Sequence, residues 1–114
     1  MMPSTTKKPL DQAPAVPVWH DAQIAVQLEA GSFLLDDGRL ARQATSCLLT
    51  PQAGDRVLSV TSRDGTPFIV HVLHRNDLQA AGVGVPGAQQ LTIAQNRITL
   101  SASDQIDVHA LRNI

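Results

Sequence analysis

Three short apolar–polar–apolar units near the C-terminus constrain this chain more than any other feature. Leu91-Thr92-Ile93, Ile98-Thr99-Leu100 and Ile106-Asp107-Val108 begin 7 and then 8 residues apart, with Asn96 between the first two and Asp104 between the last two. Short strands at regular spacing, separated by polar turns, are the pattern of rungs stacked in a β-helix. A rung of this size cannot bury its own apolar face, so it must stack on neighbours or on copies from other chains. Ile93, Ile98, Leu100, Ile106 and Val108 are therefore the candidate oligomer-interface residues. The competing expectation is a plain meander of two or three strands that completes a single domain.

Upstream the pattern differs. Pro3, Pro9, Pro14 and Pro17 crowd residues 1–18, and proline fixes φ and removes a backbone donor, so neither helix nor central strand is expected there. From Trp19 apolar residues alternate with polar ones: Ile24, Val26 and Leu28 against Gln23, Gln27 and Glu29, a half-buried strand. Phe33-Leu34-Leu35 reads as a second strand and residues 40–49 as a longer one running through Cys47. Residues 56–61 and 68–73 come next as two more, with Phe68, Val70 and Val72 expected on one face and Ile69 and Leu73 on the other. Asp37-Gly38 and Asp64-Gly65 are hairpin signals, and Pro51-Gln52-Ala53-Gly54-Asp55 is a turn. About five short strands with tight turns fit a small barrel. An OB-like barrel is expected, with an SH3-like barrel as the alternative. Residues 76–90 read as a connector: Asp77 could cap one helical turn, after which Gly82, Gly84, Pro86 and Gly87 forbid regular structure. The predicted organisation is all-β: a tail over 1–18, a barrel over 19–75, the connector over 76–90 and the β-rung segment over 91–114.

The composition argues against several functions. Among 114 residues there are two Phe, one Trp and no Tyr, too few rings for a base-stacking platform. The net charge of −1 leaves no electrostatic footprint for nucleic acid or anionic lipid. One cysteine excludes an internal disulfide framework. No run approaches the roughly 20 apolar residues of a membrane-spanning helix, and no signal-peptide stretch follows Lys7 and Lys8. The simplest expectation is the cytoplasm, with delivery by a secretion machine left open.

No catalytic constellation emerges either, so no enzyme, metal or cofactor is expected. His71 and His74 lie three apart on a strand and point to opposite sides, which does not converge on one ion. His20 and His109 read as surface residues. Cys47 sits before Leu48-Leu49 as a small buried hydrophobe, not in the electropositive setting of a reactive thiol. Asp36, Asp37 and Asp64 belong to turns. Gly82-Val83-Gly84-Val85-Pro86-Gly87 matches G-x-G-x-x-G by letter but lacks the strand–turn–helix setting of a dinucleotide site. The arginines at 39, 42, 56, 63, 75, 97 and 112 are scattered, as on a solvated surface.

One stretch carries a resemblance. Ala44-Thr-Ser-Cys-Leu-Leu-Thr-Pro51, then Gly54-Asp55-Arg-Val-Leu58, Gly65-Thr-Pro-Phe-Ile-Val70 and Val72-Leu73-His-Arg75 occur in that order, with Val85-Pro86-Gly87 and the aliphatic rungs behind them. In this the chain resembles a bacterial domain-of-unknown-function family (3540) encoded beside type VI secretion genes, over residues 24–110. A barrel leading into rungs is similar to the layout of trimeric spikes in contractile injection machines. The resemblance implies a non-enzymatic assembly component, homo-oligomeric and preferably trimeric, with secretion-spike or effector proteins as further partners. An adaptor that loads an effector or spike-tip protein is the first alternative, and an OB-fold ligand-binding module the second.

Overall fold

Strong turn residues set the corners of the fold. In the computed structural model, described over residues 18–29 and 31–112, five strands occur in order: β1 (Val18–Glu29), β2 (Ser32–Leu35), β3 (Leu40–Gln43), β4 (Arg56–Thr61) and β5 (Pro67–His74). The expected tail over 1–18 lies outside the described residues except for Val18, which opens β1. The strands close into a barrel in the order β1-β2-β3-β5-β4. All neighbours are antiparallel except β3 and β5, which run parallel. Closure uses the length of β1: its first half pairs with β4 and its second half with β2.

The two Asp-Gly corners form as hairpins with three-residue loops. Gly38 and Gly65 take φ of 91° and 89°, while Asp37 and Asp64 stay at negative φ. These are not the two-residue mirror-image turns that need both residues at positive φ. Instead each aspartate caps its own loop. Asp37 Oδ1 accepts from the Arg39 N–H at 3.1 Å, and Asp64 Oδ1 from the Thr66 N–H at 3.0 Å.

The core inside the barrel is small: Ala22, Ile24, Phe33, Leu35, Ala41, Cys47, Val57 and Ile69. Bulges decide which apolar residues reach it. Ile24 faces Leu35, but Val26 faces Leu34, so β1 advances two residues against one of β2. The extra residue reverses the facing of the residues after it. Val26 and Leu28, expected on the same buried face as Ile24, therefore point outward at 46 % and 53 % exposure. Two further bulges shift β5 against β4. The one between Ile69 and His71 brings Val72 round to pack against the core with Ile69, while Phe68, beside Ile69 and opposite Val60, stays half-buried outside. That corrects the expected grouping of Phe68, Val70 and Val72.

The strand expected over 40–49 stops at Gln43. Cys47 N–H donates to the Ala44 carbonyl at 2.9 Å, and Gln43 Nε2 donates to the Cys47 carbonyl at 2.6 Å. The chain thus turns in on itself and puts Cys47 into the core as a plug. At the end of the barrel formed by the β2–β3 turn, Arg39 Nη2 donates to buried Ser59 Oγ at 3.1 Å, while Nε donates to Asp37 at 2.8 Å.

A buried ion pair ties the loop before β4 to the exit of β5. Arg75 Nε and Nη2 donate to the two carboxylate oxygens of Asp55 at 2.8 and 2.7 Å, with side chains 4 % and 1 % exposed. Nη2 also donates to the Thr50 carbonyl at 2.8 Å, and the Gln52 N–H donates to Asp55 Oδ2 at 2.8 Å. Just beyond, residues 82–84 lie beside 48–50: Thr50 N–H donates to the Gly82 carbonyl and Gly84 N–H to the Leu48 carbonyl. The helical turn expected after Asp77 does not form; Asp77 Oδ1 instead accepts from the Gln79 N–H at 2.9 Å.

Burial works against the Asp55 charge, but the fork from Arg75 and the Gln52 N–H outweigh it and hold the carboxyl below its ordinary value. Arg75→Met leaves a buried carboxylate without its counter-charge and is expected to cost roughly 3–5 kcal/mol in urea unfolding. The pH dependence comes from the same pair. With the folded value below the unfolded one, the stabilisation is complete above the ordinary carboxyl value near pH 4 and fades as pH falls through the lower folded value. The stability margin of the native chain over Asp55→Asn should be flat at neutral pH and shrink below about pH 4. A margin unchanged down to pH 2 would contradict the assignment.

Candidate functional site

Beyond Pro86 and Gly87 the chain leaves the barrel. No residue from 88 to 112 is buried, and none belongs to a strand. Among the described residues, no backbone hydrogen bond involves a residue beyond Ala88. The only side-chain bond among the described residues of that stretch runs locally, from Gln105 Nε2 to Asp107 Oδ1 at 2.7 Å. Yet the path is patterned. From residue 91 onward the chain bends at 96, at 103–104 and at 111–112, and runs without a bend between those points. The first two bends fall at Asn96 and Asp104, the polar positions that separate the apolar units.

The five candidate interface residues all sit on these unbent pieces. Ile93, Ile98, Leu100, Ile106 and Val108 are between 53 % and 77 % exposed, and Leu91 is 60 % exposed. In an extended piece residues two apart share a face, so 91 with 93, 98 with 100 and 106 with 108 each form one apolar edge. The structure does not fold these edges onto the barrel. A run of exposed aliphatic side chains beside unpaired backbone is a template for another chain.

The residues considered for chemistry are placed apart. His71 and His74, expected on opposite sides, are both exposed on the outer face of β5, opposite Leu58 and Arg56, because the bulge between Val72 and His74 reverses the facing; His74 Nε2 lies 3.1 Å from Asn76 Oδ1. His20 is half-buried opposite Ser59, and His109 is exposed on the third piece. Cys47 is buried, and burial pushes its thiol above the ordinary value, so it stays neutral. Among the described residues, no group of three or more His, Cys, Asp or Glu is placed to hold a metal ion. The glycines at 82, 84 and 87 belong to the backbone pairing with residues 48–50 and to the turn beyond it.

Two features are not visible in the sequence pattern. One is the Asp55–Arg75 pair. Its signals are an arginine closing an apolar strand and an aspartate closing a Pro-Gly turn, but nothing local says that they meet. The other is a pair of apolar rows on the outside of the barrel. Val26, Leu34 and Leu40 stand opposite one another across β1, β2 and β3. Trp19, Val60 and Phe68 do the same across β1, β4 and β5. Trp19 and Leu40 are each 59 % exposed.

No curated protein and no solved structure matches the chain. One family model does, described as protein of unknown function (DUF3540), over residues 19–114. That match runs from the second residue of β1 through the barrel and the connector to residue 114, and on this ground the chain belongs to that family.

Proposed function

We propose that this protein is a non-enzymatic structural component of a bacterial type VI secretion system that assembles through its C-terminal segment, three copies intertwining residues 91–114 as β-rungs. The observation that carries this reading is the exposed, regularly bent segment bearing Ile93, Ile98, Leu100, Ile106 and Val108. Among the described residues these pieces pair neither with the barrel nor with one another. Each needs a strand from another chain above and below it. Identical chains supply strands of matching length, register and apolar face.

The barrel supports the reading as a base. Its strand order β1-β2-β3-β5-β4, with parallel β3 and β5, favours an OB-type barrel, the kind found at the foot of spike needles. The link to secretion rests on the resemblance of the Pro51–Asp55 and Val72–Arg75 motifs to a family encoded beside such genes. The mechanism is mechanical: the barrel fixes where the rungs start, and the rungs hold the copies together. Burying one exposed aliphatic side chain contributes roughly 1.5–3 kcal/mol, and several per chain, in three chains, supply the driving force that offsets the cost of ordering the segment.

Light scattering on a sizing column tests this directly. The native chain should show about three times 12.2 kDa, and Ile98→Asp, which puts a charge into each rung contact, should return it to one. An unchanged mass in Ile98→Asp would sink the rung interface. A native monomer that captures a secretion-tip or effector protein would support the adaptor reading instead.

A further inference from the structure

The bends and the apolar side chains of the C-terminal segment keep different periods. The bends at 96, at 103–104 and at 111–112 share the positions 96, 104 and 112, so they recur every eight residues. The apolar units begin at 91, 98 and 106, spaced 7 and then 8. The second and third units are therefore in phase with the bends, and the first is displaced by one residue. Successive residues of an extended piece point to opposite sides, so a displacement of one turns a whole edge to the other face. We propose that the copies meet through Ile98, Leu100 and Ala102 and through Ile106, Val108 and Ala110, and that Leu91 and Ile93 lie on the outer face of the assembly. This reading rests on the rung-mediated assembly proposed above and removes Ile93 from its contact.

Two observations support the eight-residue phase. Counted back from the bends, Ala94, Ala102 and Ala110 fall at the same position, two residues before 96, 104 and 112. Interiors that taper are filled by side chains of graded size, and an alanine beside the corner leaves room there for the other copies. The second observation is sidedness. Ahead of the alanine the in-phase edge carries Ile98 and Leu100 in the second unit and Ile106 and Val108 in the third, while the opposite edge carries Thr99 and Ser101, then Asp107 and His109. Each of these two units thus has one apolar and one polar side, as a strand between an interior and water does. In the first unit the same phase puts Gln90 and Thr92 inward, at the end nearest the barrel, and Leu91 and Ile93 outward. Another copy of this chain is the occupant that the pattern fits. In a repeat stack each position returns to the same surroundings one unit on, and an identical segment supplies pieces of the same length and period. Within one chain the pieces form no backbone hydrogen bond with each other among the described residues.

Light scattering on the full chain separates the two faces. The native protein should show about three times 12.2 kDa. Ala102→Asp should return it to one, because it puts a charge among the apolar side chains of the other copies. Ser101→Asp, one residue earlier, should leave the mass at three, and so should Ile93→Asp, although Ile93 is a far larger apolar residue than Ala102. None of these positions is buried against the barrel, so the barrel of every variant should unfold in urea as the native one does. A second measurement reads the face without adding a charge. Ala102→Cys chains should cross-link to one another with a short bismaleimide, and Ile93→Cys chains should not; Cys47, the native thiol, is buried. A trimeric native chain whose mass falls to one in Ile93→Asp, or holds at three in Ala102→Asp, overturns the phase and leaves the rung reading standing. Cross-linking through Ile93→Cys does the same. A native mass of one chain overturns both readings.

Discussion

Everything beyond the barrel depends on the fork between Arg75 and Asp55. The pair joins two segments 20 residues apart at the point where β5 gives way to the connector. Arg75 also donates to the Thr50 carbonyl, and Thr50 in turn donates its N–H to the Gly82 carbonyl. One guanidinium thus aligns the loop before β4 with the returning connector, and residues 82–84 lie beside 48–50 as a result. From there the chain is led back to the barrel rim, where Pro86 and Gly87 lie beside Gly31, Phe33 and Gln43. A lysine could supply the charge but not the planar two-pronged geometry. The energetic role is specific too. A buried pair adds little net stability over apolar residues of the same shape, but losing one partner strands a charge in the interior. Its contribution is to fix one path for the connector.

The barrel itself has little core. Among the described residues the core cluster has eight members, two of them alanine, and the bulge in β1 places Val26 and Leu28 on the outside, where a regular strand would have kept them inside. Chains of this size are short of buried area when alone. The exposed Val26, Leu28 and Leu40 are thus a loss to the isolated barrel. They become a gain only when another surface covers them, so binding and stability are linked in such a design.

The sequence discloses this barrel unevenly. Asp37-Gly38 and Asp64-Gly65 mark their corners because the chemistry is local: an aspartate to cap the loop and a glycine to take positive φ. Cys47 is legible as buried, though not as a plug, because its position depends on Gln43 and Ala44 turning the chain after β3. The outward turn of Val26 and Leu28 is not legible. A bulge is decided by the partner strand, and a period-two pattern continues through it unmarked. The Asp55–Arg75 pair is illegible for a related reason: each half reads as a solvated charge until the fold brings them together. In the rung segment the bends at Asn96 and Asp104 arise at polar positions between apolar units.

The rung segment carries a mismatch that the barrel resolves. Residues 89–112 have backbone donors and acceptors free for pairing among the described residues and one apolar edge per piece, but they form no strand in the single chain. Extended pieces that pair between separate chains must first be brought into register, and burial of their apolar edge then holds that register. Attachment to a rigid barrel changes that problem. The clasp at Asp55 and Arg75 and the backbone pairing at 48–50 fix where residue 85 lies, and with it the point from which the segment leaves the barrel. In the proposed assembly the barrel would fix where each segment starts and the apolar edges would supply the adhesion.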